Sequence, residues 1–443
     1  MTVDGTPLGP LQAALAARFP AEDHIVPDLD RIAMLCELLG DPQKAFPSIH
    51  LTGTNGKTST ARMVDALLRS FGLRPGRYTS PHLESLTERI CLDGVPVDDV
   101  RLAEAYEELR PYLELVDSRS SEPMTFFEVL TGLAFAVFAD APVDAGVIEV
   151  GVGGAWDATN VLQAQTCVVL PVGLDHVPLL GTTLAEIAAQ KAGIVHAGAT
   201  VVLAAQPPEA AEVLLRHCAE VGATIAREGL EFGVLGRATA VGGQLVTLQG
   251  LTGVYEDVFL PLHGVHQAAN AAAALAAVEA FLGGTGSLDP EAVRDGFAQV
   301  DAPGRLEVLR TSPTVLVDAG HNAAGMVATV HALTDAFAFT HLVGVVAVLG
   351  DKDARGMLEV LEPALSQVVV TQTRSPRALP VDELAEIARD VFGEDRVAVE
   401  DGLDDAIDTA VSLSEQEAEL GSAGVLVTGS VVTAGEARRL LKR

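Results

Sequence analysis

The sequence predicts an α/β protein with a doubly wound, mostly parallel sheet, a small antiparallel β region and a second, smaller α/β domain. Three observations carry this. Strand-like apolar runs alternate with helical segments from residue 48 to 205, the order that builds a parallel sheet with helices on both faces. From Phe232 to Leu262 the texture changes. "QLVTLQG" and "YEDVFLPL" alternate between Gly-rich turns, as antiparallel strands do. After "VDAPGRLEVL" (300–309) the α/β rhythm restarts. The expected division is therefore 1–301 and 302–443, within the two or three domains that 443 residues allow.

Taken in order, residues 11–39 read as helical, ending at Gly40 and Pro42. "PSIHLTG" reads as a strand that runs into a Gly-rich loop. "STARMVDALLRSFG" then reads as an amphipathic helix closed by Gly72. Strands follow at "AGVIEVG" (145–151), "TCVVLPVG" (166–173) and "TVVLAA" (200–205). "HQAANAAAALAAVEAFLGG" (266–284) is a strong helix ending in glycines. The second domain places strands near 314–318, 342–349, 367–371 and 424–428. The acidic segment "DDAIDTAVSLSEQEAEL" (404–420) reads as a helix with a solvated face.

Hydrophobic residues make up 49% and charged residues 20%, a globular composition. Net charge is -31 and the pI is near 4.6. Such a surface repels nucleic acid and anionic membranes, so neither is expected as a partner. A small anion would need its own local cations and N–H groups. Cys36, Cys91, Cys167 and Cys218 lie far apart, which argues against a structural zinc or a disulfide framework. The N-terminus lacks a basic region followed by an apolar stretch, and no run of about 18 apolar residues occurs. A cytoplasmic monomer in a reducing compartment is the expectation.

One stretch points to chemistry. "HLTGTNGKTST" (50–60) sets two glycines and five hydroxyls around Lys57, one of five lysines in the chain. Phosphates need backbone N–H donors, a positive helix end and a point charge, and glycines let the backbone approach closely. The common phosphate loop is G-x-x-x-x-G-K-[ST]. Here Gly53-Thr54-Asn55-Gly56-Lys57-Thr58 is two residues shorter, yet strand, loop and helix follow in the required order. The reading is a P-loop-type site: Lys57 on the β/γ-phosphates, Thr58 or Ser59 near Mg²⁺.

The G-T-N-G-K-[TS] form resembles the loop of the Mur ligases, ATP-dependent amide-bond synthetases. "TSPHLESLTERI" (79–90), "VIEVGVGGAWDATN" (147–160), "LDHVPLLGTTLAEIAAQKAGI" (174–194), "HQAAN" (266–270), "APGRLE" (302–307) and "DAGHNAAG" (318–325) narrow the resemblance to the folylpolyglutamate synthase/dihydrofolate synthase family, in order from about residue 28 to 441. The resemblance implies a large ATP-binding domain, a smaller Rossmann-like C-terminal domain and a site between them. It implies that ATP phosphorylates a pteroate or folate carboxylate, and that the amine of L-glutamate displaces the phosphate.

By the same resemblance, Ser80, Glu149 and His176 match magnesium ligands. Glu149 ends a buried-looking strand, where a carboxylate needs a cation; without the motif His176 would read as a core histidine, and with it as a ligand. The lysine matching Lys191 is carbamylated in the family and would help hold a second Mg²⁺; otherwise Lys191 is a snorkelling surface lysine. Gln267 and Asn270 match adenine-side contacts, and Arg305 an arginine that reaches the ATP phosphates. Asp318 matches an ATP contact, and His321 and Ser430 contacts to glutamate, although Ser430 could be a helix N-cap. Lys352 in "LGDKD" faces either the cleft or solvent. Thr125, Phe126, Phe127 and Asp157 match pterin positions. Lys57, Lys191 and His321 are the expected catalytic set.

Two departures stand out. Ala155 replaces a residue that is often basic in the family, and Ala323 a usual proline. The first leaves substrate preference open. Two competitors remain. A peptidoglycan amino-acid ligase would carry a uridine-nucleotide domain before the loop, and only about 50 residues precede it. A nucleotide switch would want N-K-x-D, which "GDKDA" lacks, and would not need Asp318 and His321 on a second domain. One or two activities, dihydropteroate or folate as acceptor, stay open.

Overall fold

The computed structural model describes residues 7–18, 28–416 and 423–442. The first sheet has eight strands: β1 (Ser48–Thr52), β2 (Pro75–Tyr78), β3 (Ile90–Leu92), β4 (Val95–Pro96), β5 (Ala145–Glu149), β6 (Thr166–Val169), β7 (Thr200–Leu203) and β8 (Thr224–Arg227). Their order is β4-β3-β2-β5-β1-β6-β7-β8. All neighbours from β2 to β8 are parallel, while β3 and β4 pair antiparallel at one edge. Every residue of β1 and β5 is buried, as expected of parallel strands covered on both faces.

β1 lies between β5 and β6, and the chain winds outward in both directions from it. This is the switch point where α/β sheets bind ligands, at the carboxyl ends of strands. The register pairs Leu51 with Glu149 and Thr52 with Val169, so three strand ends open at one place.

A three-stranded antiparallel sheet follows: β9 (Gly233–Ala240), β10 (Gly243–Gln249) and β11 (Val254–Leu260), in the order β11-β10-β9. The Ala-rich helix Val265–Leu282 then returns to the first sheet, almost wholly buried. Its small side chains allow close packing against helix Lys57–Ser70, and both belong to one apolar core. Buried Glu279 on this helix accepts from Tyr255 Oη at 2.8 Å and Thr252 Oγ1 at 2.7 Å, tying the small sheet to it.

The third sheet comprises β12 (Glu307–Thr311), β13 (Thr314–Val317), β14 (His341–Val346), β15 (Gln367–Val370), β16 (Val397–Val399) and β17 (Ala423–Thr428). The order is β12-β13-β17-β14-β15-β16, parallel except for β12. Separate apolar clusters fill its two faces. Helix Leu403–Gln416 buries Leu403, Ala406, Ile407 and Ala410, with Asp404, Asp405 and Asp408 exposed, the solvated face expected. The end of that acidic segment lies outside the described residues.

One expectation is corrected. The helical reading of 11–39 is two helices, Gly9–Ala16 and Asp30–Leu38; part of the stretch lies outside the described residues. The sequence between them holds Pro20 and Pro27, which remove N–H donors from a helix interior. Among the described residues no helix is long and apolar enough to cross a membrane.

Candidate active site

The phosphate loop leaves β1 and enters helix Lys57–Ser70 through Gly56, which adopts φ +86°. A side chain here would be strained, and its Cβ would lie 2.7 Å from Asn270 Oδ1. Thr54 braces the loop: its Oγ1 donates to Gly173 O at 3.0 Å and accepts from Gly173 N–H at 2.9 Å. The helix N-terminus therefore faces the cleft with its free amides.

Two lysines converge on one carbonyl. Lys57 Nζ donates to Gly53 O at 3.0 Å and Lys191 Nζ to the same oxygen at 2.9 Å. Lys191 is buried, which settles against a snorkelling surface lysine. Burial pushes both amines down. For Lys191, with Lys57 adding to the effect, the value falls to about 7. For Lys57, Glu149 and Asp175 oppose the shift. Lys57 beside a helix N-terminus suits a polyanion, and the depressed amine of Lys191 next to it is the more reactive one.

Glu149 ends β5 fully buried. Its carboxylate accepts from Thr58 Oγ1 at 2.9 and 3.0 Å and from the Ser80 N–H at 3.2 Å. Burial pushes its carboxyl up, against the pull of Lys57. A carboxylate with two hydroxyl residues is a hard-oxygen donor set, which suits Mg²⁺ once phosphate oxygens join it. Among the described residues no group of three or more His, Cys, Asp or Glu forms a metal cage by itself. His176 lines the same cleft. Burial lowers its ring to about 4, so it is neutral. Its backbone N–H donates to Asp175 Oδ1 at 2.9 Å.

Gln267 and Asn270 are buried in the first turns of their helix. Gln267 Nε2 donates to Ser59 Oγ at 3.4 Å, and Asn270 Nδ2 to Gln267 Oε1 at 3.1 Å. Arg305 lines the cleft at the connection between domains. Asp318, after β13, shapes that connection. It accepts from the N–H of Leu306 at 3.0 Å, the N–H of Gly320 at 2.8 Å and Thr329 Oγ1 at 2.9 Å. His321 and Lys352 approach from the same domain and meet Asp175 of the first. The Lys352 side chain is 9% exposed, turned onto Asp175 rather than to solvent. Burial pushes the Asp175 carboxyl up, but His321, His176 and Lys352 together hold it well below the usual range.

Other expected residues sit elsewhere. Ser430 is the N-cap of helix Val431–Leu441, accepting from Thr433 N–H at 3.0 Å, and is buried. The cap is observed, and it does not exclude a contact to glutamate. Thr125 caps helix Phe126–Asp140. Phe127 packs on Gly151, a cleft-lining residue, and lies 5.9 Å from the Tyr78 ring. Asp157 is buried and organises its own loop, accepting from Val152 N–H at 2.9 Å and Thr159 N–H at 3.0 Å. The aromatic shelf thus adjoins the phosphate socket through residues 149–153. Ala155 is half-buried, its N–H donating to Gln190 O at 2.8 Å. Ala323 opens helix Ala323–Ala336, where the family proline would only have preset φ.

Three residues escaped the sequence reading. Buried Arg89 stacks its guanidinium 5.1 Å over the Phe126 ring and donates to His82 Nδ1 at 2.9 Å. Asp175 and Asn322 join the two domains. All three lie inside motif stretches, but the partners of Asp175 and Asn322 across the cleft are distant in sequence.

A short phosphate loop at a sheet switch point, facing the strand ends of a second α/β domain, defines a two-domain nucleotide-dependent enzyme that acts between its lobes. Comparison with known proteins agrees. The family model of the Mur ligase middle domain matches residues 51–278, and that of the Mur ligase glutamate ligase domain matches 304–431. A dihydrofolate synthase/folylpolyglutamate synthase of Mycobacterium tuberculosis is 50% identical, over 97% of this chain and 93% of that protein. The namesake from Bacillus subtilis is 31% identical, over 94% and 96%. The solved structure of Mycobacterium tuberculosis folylpolyglutamate synthase complexed with ADP and AMPPCP superposes with TM-score 0.94 over 99% of this chain and 98% of that one, at 50% identity. The chain belongs to the folylpolyglutamate synthase/dihydrofolate synthase family of the Mur ligases. It is an ATP-dependent carboxylate–amine ligase.

Proposed function

We propose that the chain joins L-glutamate to dihydropteroate, to reduced folates, or to both, through an acyl phosphate. The observation that carries this is one cleft holding Lys57 and Lys191 on one wall and Arg305, Asp318 and His321 on the other. ATP lies with its phosphates against residues 53–59 and its adenine toward Gln267 and Asn270, with Arg305 and Asp318 reaching it from the second domain. Lys57 follows the γ-phosphoryl as it moves to the acceptor carboxylate; positioning and charge neutralisation supply the rate. Mg²⁺, when bound, neutralises the phosphates; Ser80, Glu149 and His176 would hold one ion, with Thr58 beside it, and a carbamylated Lys191 would help with a second.

The pterin is assigned to Thr125, Phe126, Phe127 and the loop ending at Asp157. Incoming glutamate is assigned to His321 and to Ser430, which also caps the helix that follows it. Its amine attacks the acyl carbon, and phosphate leaves. The division into 1–301 and 302–443 is supported by family matches that fall on either side of it, and residues near 302–306 would act as the hinge. We place the protein in the cytoplasm as a monomer, acting on small molecules and on neither nucleic acid nor membrane. Phosphate release with ATP, Mg²⁺ and glutamate, comparing dihydropteroate with tetrahydrofolate, tests the assignment. Turnover with neither acceptor, but with another carboxylate, would overturn it.

A further inference from the structure

Asp175 and Asn322 have no part in the reaction as described, yet they stand where the two domains meet. Asp175 lies in the loop after β6, with a side chain 9% exposed. Its Oδ1 accepts from Lys352 Nζ at 2.8 Å, and its Oδ2 from Asn322 Nδ2 at 3.0 Å. His321 Nε2 is 3.7 Å from the same Oδ2. One carboxylate of the first domain therefore gathers three groups of the second.

Asn322 extends the chain of contacts. Its Oδ1 accepts from Gly325 N–H at 2.8 Å and caps helix Ala323–Ala336. It also exchanges hydrogen bonds with Asn55 of the phosphate loop. Asn55 Nδ2 donates to Asn322 Oδ1 at 3.3 Å, and Asn322 Nδ2 donates to Asn55 Oδ1 at 3.1 Å. Lys352, Asp175, Asn322 and Asn55 form an unbroken polar line across the cleft. Each buried member depends on the next for its partner, so the line forms or breaks as a unit.

We propose that Asp175 is a positioning residue of the ligase reaction, and that through Lys352 and Asn322 it makes closure of the cleft and alignment of the phosphate loop a single event. The kinetic readout rests on the ligase reading above; the contact geometry does not. Opening the domains must break the Asn55–Asn322 pair, which frees the loop between Thr54 and Gly56. Closing them returns His321 to the cleft and Lys352 to Asp175.

Two variants test this. Asp175→Asn keeps the shape and removes the charge. Asn322→Ser keeps the helix cap but is too short to reach Asn55 or Asp175. Steady-state kinetics, calorimetric binding of a non-hydrolysable ATP analogue, thermal unfolding and small-angle scattering are measured for each and for the double variant. The expected result is a loss of about 10–100-fold in kcat for each single variant, with analogue affinity within about threefold of wild type and a larger radius of gyration in the nucleotide-bound form. The double variant should be no slower than the slower single, as members of one unit are non-additive. Single variants with kcat within about threefold of wild type, or losses that multiply in the double, would overturn the proposal. If Asp175→Asn does not fold, Asn322→Ser decides alone. Should wild type turn over no pteroate or folate acceptor, the ligase reading fails, and scattering still decides the latch: equal radii for variant and wild type sink it.

Discussion

Lys191→Met offers a quantitative test of the socket. The Lys191 amine is buried, donates to a single carbonyl oxygen, and titrates at about 7 rather than near 10.5. Its folded pKa lies below its unfolded one, so between these values the unfolded chain binds the extra proton and stability rises with pH. Below pH 7 the burden is fully present; by pH 10.5 it is nearly gone. The linkage relation gives a burden of roughly 4 kcal/mol at pH 7 and roughly 1 kcal/mol at pH 9.5. Methionine carries no such charge and fills similar space. Urea unfolding of both proteins in CO2-free buffer should therefore show the variant gaining about 3 kcal/mol on wild type as pH falls from 9.5 to 7, then levelling. Activity should be lost throughout. Added bicarbonate should stabilise wild type alone, as only a neutral amine is carbamylated. A stability difference that does not change with pH would refute a depressed Lys191.

Three further outcomes follow from the geometry. Lys57→Ala should lower kcat at least about 10³-fold with every acceptor, measured as ADP formation, while the melting temperature holds or rises because a buried cation is gone. Gly56→Ala forces a side chain into a left-handed backbone against Asn270; calorimetry should show ATP-analogue binding weakened about tenfold or more, with a stability loss of about 1–3 kcal/mol. Gly435→Ala would normally favour a helix, but its Cβ would lie 2.0 Å from Leu83 O; thermal unfolding should show a lower melting temperature, and assays a lower kcat, as helix Val431–Leu441 is pushed from the loop that carries Ser80.

Much of this was legible in the sequence because the signals were local. The loop from Gly53 to Thr58 declared itself by spacing, and β1, β5, β6 and β7 by continuous apolar runs. Other elements gave weak local signals. β2 is "PGRY", with a proline and a glycine, and is a strand because β5 and β3 pair with it. β12, "EVLRT", is mostly exposed and β16 is three residues long; both are sheet edges with no continuous apolar run to mark them. The cross-cleft contacts were illegible for a different reason: Lys352 and Asp175 are 177 residues apart, and no spacing rule joins them. Ser430 shows the opposite limit. Its motif suggests a ligand contact and the start of a helix a hydroxyl cap; the cap is present, and one hydroxyl can serve both.

The proposed reaction begins with a carboxylate oxygen attacking the terminal phosphorus of ATP in this cleft. With the acceptor carboxylate labelled with oxygen-18, ATP, Mg²⁺ and glutamate, mass spectrometry of the released phosphate reads that step directly. One labelled oxygen per phosphate is the predicted result, in step with amide formation. Unlabelled phosphate alongside amide product would contradict it.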